Sequence, residues 1–395
     1  MQKLLLSYVT QSIDEHGDPN QFAYRKGISC TDAILTLVHG IVSGLNCKQT
    51  TISKVLFLDF SSAFNTVLPN RLLNDLCNFI DEPWLIHWLR DFMQGWSRQV
   101  KLDKGYTTTS EIRVGVPQGG PLSALLFTIY TDCIRSNSNC SVIKYADDTV
   151  LSCNITKGSH QQNQHEYQDF ITSIVSTCDQ KNLLLNKKKC KEMVFENINI
   201  KHRGLIEKRD ERTIIHNTSV ERTSSTMYLG VCIDNKLTFS NHISKVLAKV
   251  YHIVATLMYI APHFPVHIRE RVFEASILPN IIYAVPVWYH FVQIKDKKRL
   301  LSFLTYCERI FGLNHNLLKD KVNTAARKEF ERLLNNIQRN EGHPLHCAIN
   351  SLCNKTNYNL RNAAITPRFR IELYRNSFVY RASMFIQHGA LEPLL

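Results

Sequence analysis

A chain of 395 residues can fold into two or three domains around a sizeable core, and its 44% hydrophobic content excludes a disordered polymer. A net charge of +13 and a pI of about 9.2 point to a polyanionic partner. The excess is lopsided: residues 240–395 carry 21 Lys and Arg against 10 Asp and Glu, residues 1–239 carry 26 against 24. A well-solvated helical surface accounts for part of it. The 12 cysteines form no C-x-x-C pair and keep no regular spacing, and Leu4-Leu5-Leu6 is too short for a signal peptide, so reduced thiols in an intracellular compartment are expected. His343, His346, Cys347 and Cys353 match no zinc spacing and read as loop and core. No membrane span is expected, because the most apolar candidate, Ile277 to Phe291, is interrupted by Pro279 and Pro286 and contains His290.

In chain order, residues 1–50 read as helical, with Leu4, Leu5, Tyr8 and Val9, then Ile34, Leu37, Val38 and Ile41, at helical spacing. Between them Gln21 to Gly27 is an aromatic and basic loop, suited equally to structure or to a nucleic-acid backbone. Val55-Leu56-Phe57-Leu58 then reads as a strand buried on both faces and ends in Asp59. Taken alone, Asp59 suits a helix cap or a turn. Pro69 to Phe79 is helical. Residues 98–116 alternate as a hairpin around Lys104-Gly105. Gly115-Val116-Pro117-Gln118-Gly119-Gly120-Pro121 opens a helix through Phe127 and Tyr130, and its glycines and free N–H groups suit a closely approaching phosphate. Residues 165–185 read as an amphipathic helix. Met193 to Phe195, Ile214-Ile215 and Tyr228 to Ile233 read as strands, and helices dominate from 241 to about 340. From 355 to 385, Lys355, Arg361, Arg368, Arg370, Arg375 and Arg381 interleave with Tyr358, Phe369, Tyr374, Phe378 and Tyr380. That pattern suits base stacking or a packed amphipathic tail.

The chemistry concentrates at Val142-Ile143-Lys144-Tyr145-Ala146-Asp147-Asp148-Thr149-Val150-Leu151. Two β-prone runs flank two adjacent acids, so a hairpin with both carboxylates at its tip is expected. A tight hairpin favours Asn-Gly or Asp-Gly, and two adjacent negative charges become tolerable when a divalent cation neutralises them. An ordinary surface turn is the rival reading. If the strand ending at Asp59 shares this sheet, three carboxylates converge. Such a set can hold two Mg²⁺ ions for phosphoryl or nucleotidyl transfer. Spacing alone does not choose between a nuclease and a polymerase.

An ordered set of motifs resembles the reverse transcriptase of non-LTR (LINE-type) retrotransposons. The set comprises Phe22-Ala23-Tyr24-Arg25-Lys26-Gly27, Phe57-Leu58-Asp59-Phe60-Ser61-Ser62-Ala63-Phe64, Gly115-Val116-Pro117-Gln118-Gly119 and Tyr145-Ala146-Asp147-Asp148. Leu185-Asn186 with Lys189, and Tyr228-Leu229-Gly230-Val231, complete it across about residues 20–234. The resemblance implies an α+β fold: a right-hand polymerase palm with an antiparallel sheet and packed helices. It further implies partial fingers (1–54), a palm (55–240), a helical thumb-like region (241–345) and a basic, aromatic tail (346–395). It implies an RNA-directed DNA polymerase acting on an RNA template, a DNA primer and deoxynucleoside triphosphates. The cofactor would be two Mg²⁺ ions, with Mn²⁺ as a substitute. Asp59 and Asp147 would hold the metals with Asp148 assisting, and Lys189 would help the leaving pyrophosphate. Phe64 would be the steric gate against a ribose 2′-OH, and Gln118 and Gly119 would position template and nucleotide. Tyr145, Tyr228, Leu229 and Gly230 would bind the primer. As a retroelement protein it would be nuclear or cytoplasmic. Set beside the family, the chain is expected to lack fingers sequence that lies before the point where Met1 falls, and an endonuclease. The alternative is therefore an N-terminally truncated, inactive relic that only binds nucleic acid. An RNA-dependent RNA polymerase is disfavoured by Phe64 and Ala146, and group II intron maturases share the Tyr-x-Asp-Asp box.

Overall fold

A computed structural model of the chain describes residues 2–103, 105–117, 119–156, 160–196, 212–351, 369–389, 393 and 395. Two helices, α1 (Gln2–His16) and α2 (Cys30–Asn46), precede strand β1 (Thr50–Leu58). Three helices follow, α3 (Ala63–Thr66), α4 (Pro69–Leu76) and α5 (Pro83–Met93). An arm then carries β2 (Ser97–Arg98), β3 (Lys101–Leu102), β4 (Gly105–Tyr106) and β5 (Ser110–Glu111), and leads to α6 (Pro121–Tyr130). Next come β6 (Cys140–Tyr145), β7 (Asp148–Thr156), α7 (His160–Gln180) and β8 (Lys191–Glu196). Short strands β9 (Ile214–Ile215), β10 (Thr218–Ser219) and β11 (Glu221–Arg222) precede β12 (Ser225–Tyr228) and β13 (Val231–Asp234). Beyond them the described chain is helical.

The chain divides into two compact units that interleave in sequence. The first comprises Met1–Ser29, Lys54–Met193 and Lys201–Arg222. Its sheet runs in the order β11-β8-β1-β7-β6. The β6–β7 pair is antiparallel, from Cys140↔Cys153 to Tyr145↔Asp148, whereas β11 runs parallel to β8. Central β1 is buried along its described length, as its unbroken apolar run requires. The α1 and α4 helices pack on α6, which buries Leu122, Leu126, Phe127 and Tyr130 completely, and α7 packs on β7.

Two lysines are fully buried in this unit, and both have acidic partners, since an unpaired buried charge is too costly. On β6, Lys144 Nζ lies 2.9 Å from Asp18 and donates to the Thr131 carbonyl at 3.0 Å. On β1, Lys54 faces Glu192 at 3.9 Å, and Glu192 also accepts from Arg222 at 2.7 Å. The hairpin expected around Lys104-Gly105 is present as β3–β4, extended by β2–β5. Its alternating sequence does not bury one face, because all eight of its strand residues are exposed.

The second unit comprises Cys30–Ser53, Val194–Ile200 and Thr223–Leu395. Helix α2 packs against the helix Val285–Trp288 and against the helices Glu372–Arg375 and Phe378–His388. Tyr228 to Ile233, which reads as one strand, is instead the antiparallel hairpin β12–β13, turning at Leu229 and Gly230. His343 is no zinc ligand. Its Nδ1 accepts from the Leu345 N–H at 3.0 Å, which leaves Nε2–H to donate to the fully buried Asp32 at 3.2 Å. Among the described residues no group of His, Cys, Asp and Glu is gathered to hold a metal ion; Cys353 lies outside them.

The run Val266–Phe291 corrects the expectation on membrane spans: by length and composition it could cross a membrane, although half of its most apolar window is buried within the protein. The run is broken by backbone geometry, with Ala284 at φ +50°. In the tail, Lys355, Tyr358, Arg361 and Arg368 lie outside the described residues. Tyr374, Phe378 and Tyr380 are buried, and Phe378 packs 4.7 Å from Phe330. These three rings are core, so the packed amphipathic reading holds for them, and stacking on bases does not.

Candidate active site

Asp59 is the first residue after β1 and its carboxylate is one-third exposed. Beside β1 in the sheet, β7 begins at Asp148, so both acids come to the same edge. The hairpin tip differs from the expected Asp-Asp turn. Its two turn residues are Ala146 and Asp147, and Asp148 is already paired with Tyr145. Ala146 adopts φ +56°, a left-handed conformation that costs a non-glycine residue roughly 1–2 kcal/mol. Gln21 helps hold it there: its side-chain oxygen accepts from the Ala146 N–H at 3.4 Å and from the Ala23 N–H at 3.1 Å.

Asp148 feels the charges of both other acids. Desolvation by surrounding protein, then the charge of Asp147, then that of Asp59, raise the pKa of Asp148. The crowding is of like charges. One Asp59 oxygen is buried with no hydrogen-bond donor among the described residues, and Lys189 Nζ lies 3.5 Å from it. The Leu185-Asn186 motif brings Lys189 there. The Ser61 N–H donates to the Leu184 carbonyl, and the Asn186 N–H to the Asp59 carbonyl, both at 2.8 Å, so the segment zips onto the end of β1. Lys189 itself is 71% exposed and can reach outward.

Phe64 lies on α3 and stacks on Phe127, with ring centroids 4.4 Å apart. Its carbonyl accepts from the Val116 N–H at 3.0 Å, and the Val67 carbonyl accepts from the Gly115 N–H at 2.7 Å. Gly115 is obligatory twice over: it has φ +93°, and a Cβ would lie 3.0 Å from the Asn65 backbone. Gly119 also needs its positive φ (+88°), but a Cβ there would meet open space. Gln118 lies outside the described residues. Tyr145 is half-buried at the end of β6.

Tyr24, in the aromatic and basic loop, was not among the expected site residues. It is 47% exposed, and its hydroxyl pKa is raised by desolvation and by the charge of Asp147. The only sequence signal for it was the Phe-Ala-Tyr-Arg-Lys-Gly loop itself.

Tyr228, Leu229 and Gly230 belong to the second unit and form its β12–β13 turn. Leu229 (φ +45°) and Gly230 (φ +81°) are both left-handed. Tyr283 braces them: its hydroxyl donates to the Leu229 carbonyl at 2.7 Å, and its ring lies 3.1 Å from where a Gly230 Cβ would be. Nothing in the sequence points to Tyr283, which is 54 positions away from Leu229.

The donor set suits a hard divalent cation, because every group is a carboxylate, one oxygen is buried without a donor, and the charges repel. The three are not drawn into a closed cage. Mg²⁺ typically needs none, since it is held by one or two carboxylates together with water and substrate phosphates.

Residues 1–233, more than half of the chain, match the family model for reverse transcriptase (RNA-dependent DNA polymerase). The RNA-directed DNA polymerase from mobile element jockey of Drosophila melanogaster is 24% identical over 339 residues, which cover 79% of this chain and 35% of that protein. Its Drosophila funebris counterpart is 22% identical over 376 residues, covering 89% and 38%. The chain thus spans about a third of the length of these curated relatives. A telomerase from Candida tropicalis, solved with a fragment of telomeric RNA, shows 11% identity and a TM-score of 0.43 over 85% of this chain and 54% of that one. The chain belongs to the reverse transcriptase family. That family uses a divalent metal.

Proposed function

We propose that the chain is an RNA-directed DNA polymerase that extends a DNA primer on an RNA template. The observation that carries this reading is the placement of Asp59 at the end of β1 and of Asp147 and Asp148 at the start of neighbouring β7, beside an oxygen of Asp59 that has no hydrogen-bond donor among the described residues. Asp59 and Asp147, assisted by Asp148, would hold two Mg²⁺ ions, or Mn²⁺ in their place. Bound there, the metal supplies Lewis-acid activation of the primer 3′-hydroxyl and charge neutralisation at the phosphates. The hydroxyl oxygen attacks the α-phosphorus of the deoxynucleotide, the bond to the bridging oxygen breaks, and pyrophosphate departs. Lys189, exposed and paired loosely with Asp59, offers a proton or charge to that leaving group.

Phe64, its ring stacked on Phe127 and its backbone tied to Val116, fills the space a ribose 2′-OH would need. Gln118 and Gly119 position template and nucleotide, and Tyr145, Tyr228, Leu229 and Gly230 bind the primer. A division into fingers (1–54), palm (55–240), thumb (241–345) and tail (346–395), and an intracellular site of action, go with this reading. Primer extension on an RNA template with Mg²⁺ tests it. Asp147→Asn should lower the rate by at least the order of a hundredfold, and undiminished extension would refute the assignment.

A further inference from the structure

Three of the four tryptophans lie at four-residue spacing with a phenylalanine between them: Trp84, Trp88, Phe92 and Trp96. On α5 that spacing places side chains on one face, about 6 Å apart along the axis. The adjacent face of α5, about 100° round the axis, carries Leu85, Leu89 and Met93 into the core. The aromatic face is not packed away: Trp84 is 61% exposed and Trp96 40%. Trp88 and Phe92 stack with centroids 5.4 Å apart and planes 11° from parallel, and Phe92 meets Trp96 edge-on at 6.0 Å. The helix ends at Met93, yet the stripe continues. Gly95 takes φ +74° and turns the chain so that the Trp96 indole N–H donates to the Phe92 carbonyl. Trp88 and Phe92 between them are half-buried. A helix that only needed to pack would have no use for two indoles facing water at the ends of such a stripe.

The stripe leads into a cleft of about 490 Å³. Trp96 lines it together with Arg98, Glu111, Arg113 and the loop Gly115–Pro117. Arg113 is 82% exposed and pairs with Glu111 at 3.0 Å, and Arg98 contacts Ser110 at 3.4 Å. The far wall of the cleft, Gly115 and Val116, is hydrogen-bonded to the backbone around Phe64, so the cleft adjoins the proposed nucleotide gate. Residues 83–117 carry five Lys and Arg against three Asp and Glu.

We propose that the Trp84–Trp88–Phe92–Trp96 stripe and the Arg98/Arg113 cleft form a track for single-stranded nucleic acid, and specifically for unpaired template RNA. Exposed rings in series accept bases of any sequence by stacking, and arginines beside them take phosphates. Naming the template as occupant rests on the polymerase reading. Single-strand binding by the stripe does not.

Fluorescence supplies the test, because the fourth tryptophan, Trp288, is fully buried. The probe is a labelled oligouridylate, titrated against the Asp147→Asn chain so that no extension is required. Stacking should quench the tryptophan emission. The double variant Trp84→Ser/Trp96→Ser alters only exposed side chains. It should lose most of that quench and weaken binding by on the order of tenfold per ring, and Trp96→Phe should keep most of the affinity. Arg98→Ala with Arg113→Ala should flatten the salt dependence by about two phosphate contacts. Equal RNA affinity in the double-serine variant would overturn the proposal, and is also what a protein-docking face would give. Loss of extension in Asp147→Asn together with unchanged binding in the tryptophan variants would leave the polymerase standing and remove the track. The reverse pattern would keep the track and remove the polymerase.

Discussion

Both compact units partner their buried acids, Asp32 with His343 and Asp296 with Arg299 in the second, but they differ in the other ionisable groups they hold. In the first, buried charge is either paired or brought to an edge. Lys144 and Lys54 are matched with Asp18 and Glu192, and three carboxylates are crowded where β1 and the β6–β7 turn meet. In the second, the imidazole of His242 is buried and those of His39 and His290 are half-buried, and desolvation keeps all three neutral. Burial lowers the pKa of His39 and His242 to about 4 and of His290 to about 3, with nearby cations helping in the latter two. Repulsion among acids can be relieved by a bound cation, whereas a neutral imidazole carries no charge for one to neutralise. The first unit therefore holds like charges that a cation can stabilise, and the second holds imidazoles that desolvation keeps neutral.

The largest effect that would sharpen this contrast is the loss of extension expected for Asp147→Asn. Phe64→Val should follow. It removes a ring held against Phe127, and misincorporation of ribonucleotides should rise by one to several orders of magnitude on the order expected for a lost steric block. Unchanged sugar selectivity would take the gate role from Phe64. A smaller effect concerns the histidines. Their folded pKa values lie below the unfolded value near 6.5, so the folded state binds fewer protons in acid. The stability they allow is complete above about pH 6.5 and is lost as pH falls toward 4, by on the order of 1 kcal/mol per pH unit for each group. Hydrogen exchange at helices of the second unit should quicken across that window, and His290→Phe should flatten the slope. His39 and His242 keep the rest of the slope, and a slope wholly unchanged by this substitution would remove His290 from the account.

How much of this was legible in the sequence depended on whether the signal was local. The apolar run into Asp59, the α2 periodicity and the strand on each side of Asp147 are local patterns, and the structure has all three. The proposed Lys189–Asp59 neighbourhood came only through family resemblance, because the pairing of Phe60 with Leu185 that creates it spans 125 positions. The turn at Ala146-Asp147 was misplaced by one residue, since two adjacent acids look like turn residues and the left-handed alanine gives no sign of itself. Tyr228 to Ile233 looked like one strand because Leu229, at the turn, is apolar, and its support comes from the distant Tyr283. Lys144 and Lys54 look like surface residues in any local window, and only their remote acids make their burial possible. The tryptophan stripe was readable at four-residue spacing. What the sequence lacked was its exposure.

The central claim is that Asp59 and Asp147 serve one cation site, and Mn²⁺ binding followed by electron paramagnetic resonance with a deoxynucleotide present tests it most directly. Asp59→Asn and Asp147→Asn should each abolish the same bound-Mn²⁺ signal, and in the unaltered chain affinity should climb with pH as the raised Asp148 carboxyl gives up its proton. Full Mn²⁺ occupancy in either variant would contradict the shared site.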